Sequence, residues 1–313
     1  MRWLVLVVAI AGCRCKERAA EPPAKPLAED AMIALQPRSI GELGRAATAL
    51  HVDGRWVYWI SLRGVYGGSD RLHRTNLDDG RSEEVVAKPG MIGGYAIHEG
   101  VFWTRQEVLG ERVQPGAVMS SRTGALVRGG DPGEIVLANG VLYYADRTKV
   151  HRRDLAGGSR MLTTLATFAS GLVVQGDRLY IATYGGDDVP GSIETMLISG
   201  GERQQLAEVD SPYLLAASAQ RIAWAAGPEL AIARSDGTIT SRRAITSVQG
   251  LLVADDRVYW IDGPEGCPTC KLMMQIGDAE PRVLADLRDA SDLARDDKHL
   301  YWSAGGKLWT LPL

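Results

Sequence analysis

Seven apolar triplets recur along the chain: Val57-Tyr58-Trp59, Val101-Phe102-Trp103, Leu142-Tyr143-Tyr144, Leu179-Tyr180-Ile181, Ile222-Ala223-Trp224, Val258-Tyr259-Trp260 and Leu300-Tyr301-Trp302. Measured at the last residue of each, the steps are 44, 41, 37, 43, 36 and 42 residues. A near-constant period of about 40 residues marks a repeat array, in which each unit buries its apolar face only against its neighbours.

Each triplet follows a two-residue turn: Gly54-Arg55, His98-Glu99, Asn139-Gly140, Gly176-Asp177, Ala219-Gln220, Asp255-Asp256 and Asp297-Lys298. Asn-Gly and Gly-Asp pairs tolerate positive φ and close tight hairpins. Upstream stand short apolar runs such as Ile135 to Ala138 and Leu251 to Ala254, which read as strands covered on both faces. Downstream come a third segment, as in Leu72 to Leu77, a Gly-rich turn, and in most units a fourth segment, as in Gln205-Leu206-Ala207. Four short strands per repeat of this length make one propeller blade. The fold expected is all-β, a seven-bladed β-propeller over residues 31–313, with six or eight blades the less favoured counts. The seventh unit reaches Leu313 after three strands. The N-terminal strand, expected at Met32-Ile33-Ala34-Leu35, then closes that blade in a one-plus-three arrangement that leaves no open sheet edge.

The repeat also accounts for the skewed aromatic content of eight Trp and ten Tyr against two Phe, since five of the Trp stand last in a triplet. Large rings there fill the wedge between adjacent blades. The Tyr-Trp step resembles the YWTD propellers of lipoprotein-receptor ectodomains and, more loosely, bacterial secreted propellers with Tyr-Trp strands, from about residue 45 onward. Tyr143-Tyr144-Ala145-Asp146 and Tyr259-Trp260-Ile261-Asp262 keep the fourth-place Asp of that motif, and Trp103-Thr104 keeps the Thr. The receptor family has six blades, whereas seven units are present here. The resemblance implies an extracytoplasmic propeller used for binding.

The address is read from the first thirty residues. Arg2 followed by the apolar run Trp3 to Ala11 has the form of a secretory signal, too short to span a bilayer as a helix. It ends in Ile10-Ala11-Gly12-Cys13, which resembles the lipobox of bacterial lipoproteins. That resemblance implies a signal peptide over residues 1–12 and a lipidated Cys13, with Cys15 a bystander. Several acyl chains give stable membrane anchoring where one does not. Residues 13–30 are poor in anything to bury and include Pro22-Pro23 and Pro26, the composition of a disordered tether. A bacterial envelope protein follows, with the outer membrane preferred because Arg14 rather than Asp succeeds the lipidated position. The net charge of -3 and pI near 6.0 exclude the basic field that nucleic-acid binding needs. A monomer is expected.

Contiguous catalytic motifs are absent, and the five His are scattered. Cys267-Pro268-Thr269-Cys270 lacks the second ligand pair of a zinc site and the helix start of a thioredoxin-type motif, so an exported chain favours a local disulfide over metal or redox chemistry. Binding residues are sought on the long loops joining second to third strands, which share a face with the connections between blades. Those loops carry Tyr66, Arg63, Arg105, Tyr184, Asp187, Asp188 and Glu265. At the channel mouth the repeat places Glu134 and Asp292, with Tyr95 and Tyr213 nearby, against Ala49, Gly93, Gly171, Leu214 and Gly250 at the equivalent places. Two carboxylates are fewer oxygen ligands than Ca²⁺ takes, so no cofactor is expected. The function expected is a binding or scaffolding module for a protein, peptide or glycan on the long-loop face. The alternative is a propeller hydrolase or lactonase-like enzyme with a metal in the central channel.

Overall fold

A computed structural model of the chain describes residues 36–43, 47–61, 70–86, 90–105, 116–186, 189–264 and 266–313. Residues Gln36–Leu313 form one compact unit. Its strands begin with β1 (Arg38–Glu42). Blade 1 is β2 (Ala47–Asp53), β3 (Trp56–Ser61), β4 (Arg71–Asn76) and β5 (Ser82–Val86), and blade 2 is β6 (Ile92–Ile97), β7 (Val101–Arg105), β8 (Ala117–Ser120) and β9 (Gly124–Arg128). Blade 3 is β10 (Pro132–Ala138), β11 (Val141–Asp146), β12 (Lys149–Asp154) and β13 (Ser159–Thr164). Blade 4 is β14 (Ala169–Gln175), β15 (Arg178–Thr183), β16 (Gly191–Leu197) and β17 (Gln204–Val209). Blade 5 is β18 (Pro212–Ala217), β19 (Arg221–Ala226), β20 (Glu229–Arg234) and β21 (Ile239–Ala244). Blade 6 is β22 (Val248–Ala254), β23 (Arg257–Asp262), β24 (Cys270–Ile276) and β25 (Arg282–Leu287), and blade 7 is β26 (Ala290–Arg295), β27 (His299–Ala304) and β28 (Lys307–Pro312) completed by β1. Every sheet is four-stranded with antiparallel neighbours. The fold is a seven-bladed β-propeller.

Closure is one-plus-three, but the closing strand is Arg38–Glu42 rather than Met32–Leu35, which lies outside the described residues. An outermost strand faces solvent, so Arg-Ser-Ile-Gly-Glu needs no apolar run, and a search for one selects the wrong segment. β1 also leans on blade 1. A Cβ on Gly41 would stand 2.5 Å from the Gly80 carbonyl oxygen, and the Ser82 hydroxyl donates to the Glu42 carbonyl at 2.9 Å.

The triplets form the second strand of each blade and are buried. Side chains on a strand alternate between faces, so the middle and last residues of a triplet point to opposite neighbouring blades. Accordingly Tyr58 packs with Trp103, Phe102 with Tyr144, Tyr143 with Ile181, Tyr180 with Trp224, Ala223 with Trp260, and Tyr301 with Trp59 across the closure. This is the wedge filling expected of the aromatic rings. Two His join it: His73 stacks on Trp59 at 4.3 Å and His151 on Tyr144 at 4.9 Å between ring centroids.

The outermost strand of every blade carries one register shift against its partner. In blades 7, 1, 2, 3 and 4 the extra residue is Ile40, Val85, Leu126, Leu162 and Leu206, each packed into an inter-blade cluster. The bulge lets one more apolar side chain turn inward from a strand otherwise open to water.

Candidate functional site

The innermost strands β2, β6, β10, β14, β18, β22 and β26 start on the long-loop face, and each carries a register shift near that end. The seven bulges form a collar at the channel mouth. In register, the residue preceding the partner of the triplet's last residue is Gly94, Glu134, Gly171, Leu214 or Gly250 in blades 2 to 6, and the irregular stretch of the inner strand holds Ala49 in blade 1 and Asp292 in blade 7. Blade 2 thus contributes Gly94 to this position instead of Gly93, because Ile97 pairs with Val101 across three turn residues where Ala138 pairs with Val141 across two. Three glycines here let neighbouring inner strands touch. A Cβ on Gly250 would stand 2.8 Å from the Asp292 carbonyl carbon, and one on Gly171 would stand 3.2 Å from the Leu215 Cβ.

Of the four side chains expected at the mouth, three tie blades together. The Ala49 amide donates to Asp292 Oδ2 at 2.7 Å, which joins blades 1 and 7. Both residues hold left-handed backbone, with φ of 56° and 52°. The Tyr95 hydroxyl donates to the Ala49 carbonyl, so the chain of contacts runs on into blade 2. The Tyr213 hydroxyl accepts from the Val248 amide at 3.0 Å and joins blade 5 to blade 6. Burial lifts the Asp292 carboxyl to about 6 against the opposing pull of the Ala49 bond, and burial with the Asp292 charge lifts the Tyr95 phenol well above its ordinary range.

Glu134 stands outside this relay. It makes no hydrogen bond or ion pair within the described residues, and burial alone lifts its carboxyl to about 7. Neither carboxylate raises the other, so the structure does not assemble Glu134 and Asp292 into one charged pair. Among the described residues no group of three His, Cys, Asp or Glu could hold a metal ion. Between pH 4.5 and 7 the folded protein holds a proton on Glu134 that the unfolded chain has released, so this group lowers stability as pH rises through that window. Glu134→Gln is therefore expected to be neutral near pH 4 and stabilising by roughly 3 kcal/mol at pH 8. Unfolding free energies measured across pH read this directly, and equal stability of the two proteins at pH 8 would show the carboxylate to be solvated or paired.

On the loops, Tyr184 is 44% exposed beside Phe168 at 56%. The Tyr184 amide donates to the Phe168 carbonyl at 2.9 Å, the Thr167 hydroxyl donates to the Tyr184 carbonyl, and exposed Val189 lies across the same loop. These three apolar side chains are exposed where the blade 3 to 4 connection meets the long loop of blade 4. Tyr66 and Asp187, with Arg63, Asp188 and Glu265, lie outside the described residues, as do Cys13 and Cys15. Arg105 ends β7 with its stem over Gly90. Cys267 and Cys270 form a disulfide with Cα atoms 5.7 Å apart, and the Asp289 amide donates to the Cys267 carbonyl at 2.8 Å, which fastens this loop to the next connection.

Sequence reasoning missed Phe168, whose only signal was its place in a loop of a chain with two Phe. It also missed the bulged Ser170, whose hydroxyl is buried without a hydrogen-bond partner among the described residues, and Gln249, whose amide donates to Ser247 Oγ and the Gly263 carbonyl.

No protein-family model matches the chain, and no curated protein matches it by sequence. Solved structures share its fold. Virginiamycin B lyase from Staphylococcus aureus is similar with a TM-score of 0.62 at 12% identity, over 89% of this chain and 99% of that one. The β-propeller domain of the Trilobed protease from Pyrococcus furiosus, described as having an open velcro topology, is similar with a TM-score of 0.58 at 12% identity, over 86% and 94%. XC5397, a gluconolactonase from Xanthomonas campestris, is similar with a TM-score of 0.52 at 15% identity, over 89% of each chain. Enzymes and a protease's propeller domain stand together in this set, so the likeness is one of fold.

Proposed function

We propose that this chain is a membrane-anchored envelope lipoprotein whose propeller acts as a binding or scaffolding module for a protein, peptide or glycan through the long-loop face. The observation that carries this reading is the exposure of Phe168, Tyr184 and Val189 on adjoining loops held to each other by main-chain bonds. Contiguous apolar groups left in water mark surfaces that bury them on a partner, and aromatic residues are enriched at the centres of such interfaces. The lipobox-like Ile10-Ala11-Gly12-Cys13 supports the anchor, with lipid on Cys13, and the outer membrane is the preferred address. The hydrolase reading requires several ligands converging in the channel, whereas Asp292 is committed to the Ala49 amide and Glu134 stands apart from it.

Cross-linking the full-length protein in its own membrane, followed by identification of bound material, tests the proposal. A partner is expected with the parent protein and at least tenfold less of it with Phe168→Ser/Tyr184→Ser, as loss of two aromatic anchors implies. Cys13→Ala is expected to leave the membrane fraction. Undiminished recovery with the double variant, or ester or lactone turnover that Glu134→Gln abolishes, would overturn the reading in favour of the enzyme.

A further inference from the structure

On the opposite, tight-turn face, the wedge between blades 4 and 5 opens into a groove of about 450 Å³. That volume lies within the range of small-ligand sites. Its walls are the turn before β15 with Asp177 and Arg178, the outer strand with Gln204, and the turn between β20 and β21 with Ser235 and Asp236.

The next wedge shows what this one lacks. Arg178 and Arg221 each open the second strand of their blade. Asp236 and Asp278 each stand second in the turn between third and fourth strands of the following blade. Between blades 5 and 6, Arg221 Nη2 meets Asp278 Oδ1 at 3.0 Å and Nη1 donates to Thr240 Oγ1 at 3.1 Å, and Arg221 is buried. Between blades 4 and 5 the same two residue types are present and apart. Asp236 Oδ1 instead accepts from the Thr238 amide at 2.8 Å, and Arg178 makes one bond, from Nη1 to Thr195 Oγ1 at 3.3 Å, with no ion pair among the described residues. A guanidinium with free donors thus faces a carboxylate with free lone pairs across an open groove.

We propose that this groove is a binding site for a neutral saccharide whose hydroxyls bridge Arg178 and Asp236. A hydroxyl both donates and accepts, so neighbouring hydroxyls satisfy the two sides at once, with the Gln204 amide able to do either. One Arg against Asp177 and Asp236 gives the lining no net positive charge, which disfavours a phosphate or carboxylate ligand. The site is independent of the long-loop face.

Ligand-observed NMR on the full-length protein tests this with four probes: maltose, cellobiose, lactose and diacetylchitobiose. At least one is expected to bind. Ala219→Trp, at an exposed position lining the groove, is expected to weaken that binding about tenfold or more by filling the groove without removing a hydrogen bond. Arg178→Met is expected to weaken it by a similar factor through loss of charge-assisted donors. Thermal melts of both variants establish that they fold. Absence of binding by all four probes, binding undiminished in Ala219→Trp, or displacement by inorganic phosphate at comparable concentration would each overturn the proposal.

Discussion

Removing the chain through Glu42 is expected to destabilise the propeller by roughly 5 kcal/mol, whereas removal through Pro37 should leave its melting temperature unchanged to within about a degree. The first deletion takes away β1, its pairing to β28 from Arg38↔Thr310 to Glu42↔Lys307, and the Ser82 bond to Glu42. Several net hydrogen bonds contribute about 0.5 to 1.5 kcal/mol each. Burial of Ile40 against the closing cluster adds about 2 kcal/mol more. For a domain of this size a loss of that magnitude lowers the melting temperature by about 10 °C or more. The effect is large because blade 7 is the one sheet that joins the two ends of the ring. Thermal unfolding of the two truncated chains side by side checks it. Coincident melts would show that the ring holds without its closing strand.

Trp260→Ala is expected to cost about 3 to 5 kcal/mol, the range for truncating a fully buried aromatic. Trp260 is 2% exposed and packs against Ala223, Val258 and Ile232, so the small Ala223 opposite gives the cavity nothing to collapse onto. Trp260→Phe should cost far less, because the Trp260 indole N–H is buried without a partner among the described residues and its removal relieves that penalty. At Trp59 that relief is absent: its indole donates to Thr75 Oγ1 at 3.0 Å, so Trp59→Phe gives up a buried hydrogen bond, although the Thr75 hydroxyl keeps Ser82 Oγ at 2.8 Å. Denaturant unfolding of the three variants separates the two environments. If Trp260→Phe proved as damaging as Trp260→Ala, filling of the wedge by ring volume would not be what the triplet provides.

The frame of the molecule was legible because wedge filling repeats the same chemistry every 40 residues or so, and buried aromatics tolerate few substitutes. The closing strand was not, since Arg38–Glu42 sits at the rim where main-chain pairing matters and side-chain hydropathy does not. The collar was half legible. Glu134, Asp292, Tyr95 and Tyr213 stood out as polar residues at the starts of apolar strands, but their uses did not, because a bulge leaves no residue signature and decides which neighbour a side chain meets. Thus Asp292 and Tyr95 meet at Ala49, while Glu134, at the same place in its own repeat, meets no partner among the described residues. The groove at Arg178 escaped notice for a similar reason: Arg178 and Asp236 read like Arg221 and Asp278 in sequence, yet Asp278 pairs with its Arg while Asp236 turns to the Thr238 amide.

The shifted register of every outermost strand reaches beyond its own blade. A straight outer strand would offer another polypeptide a ladder of free amides and carbonyls, and molecules crowded on one surface would meet at those rims first. Here each rim is interrupted partway along, so a foreign strand loses step with it after a few residues. The circumference is therefore self-limiting: copies standing side by side meet rims that resist zipping into fibres.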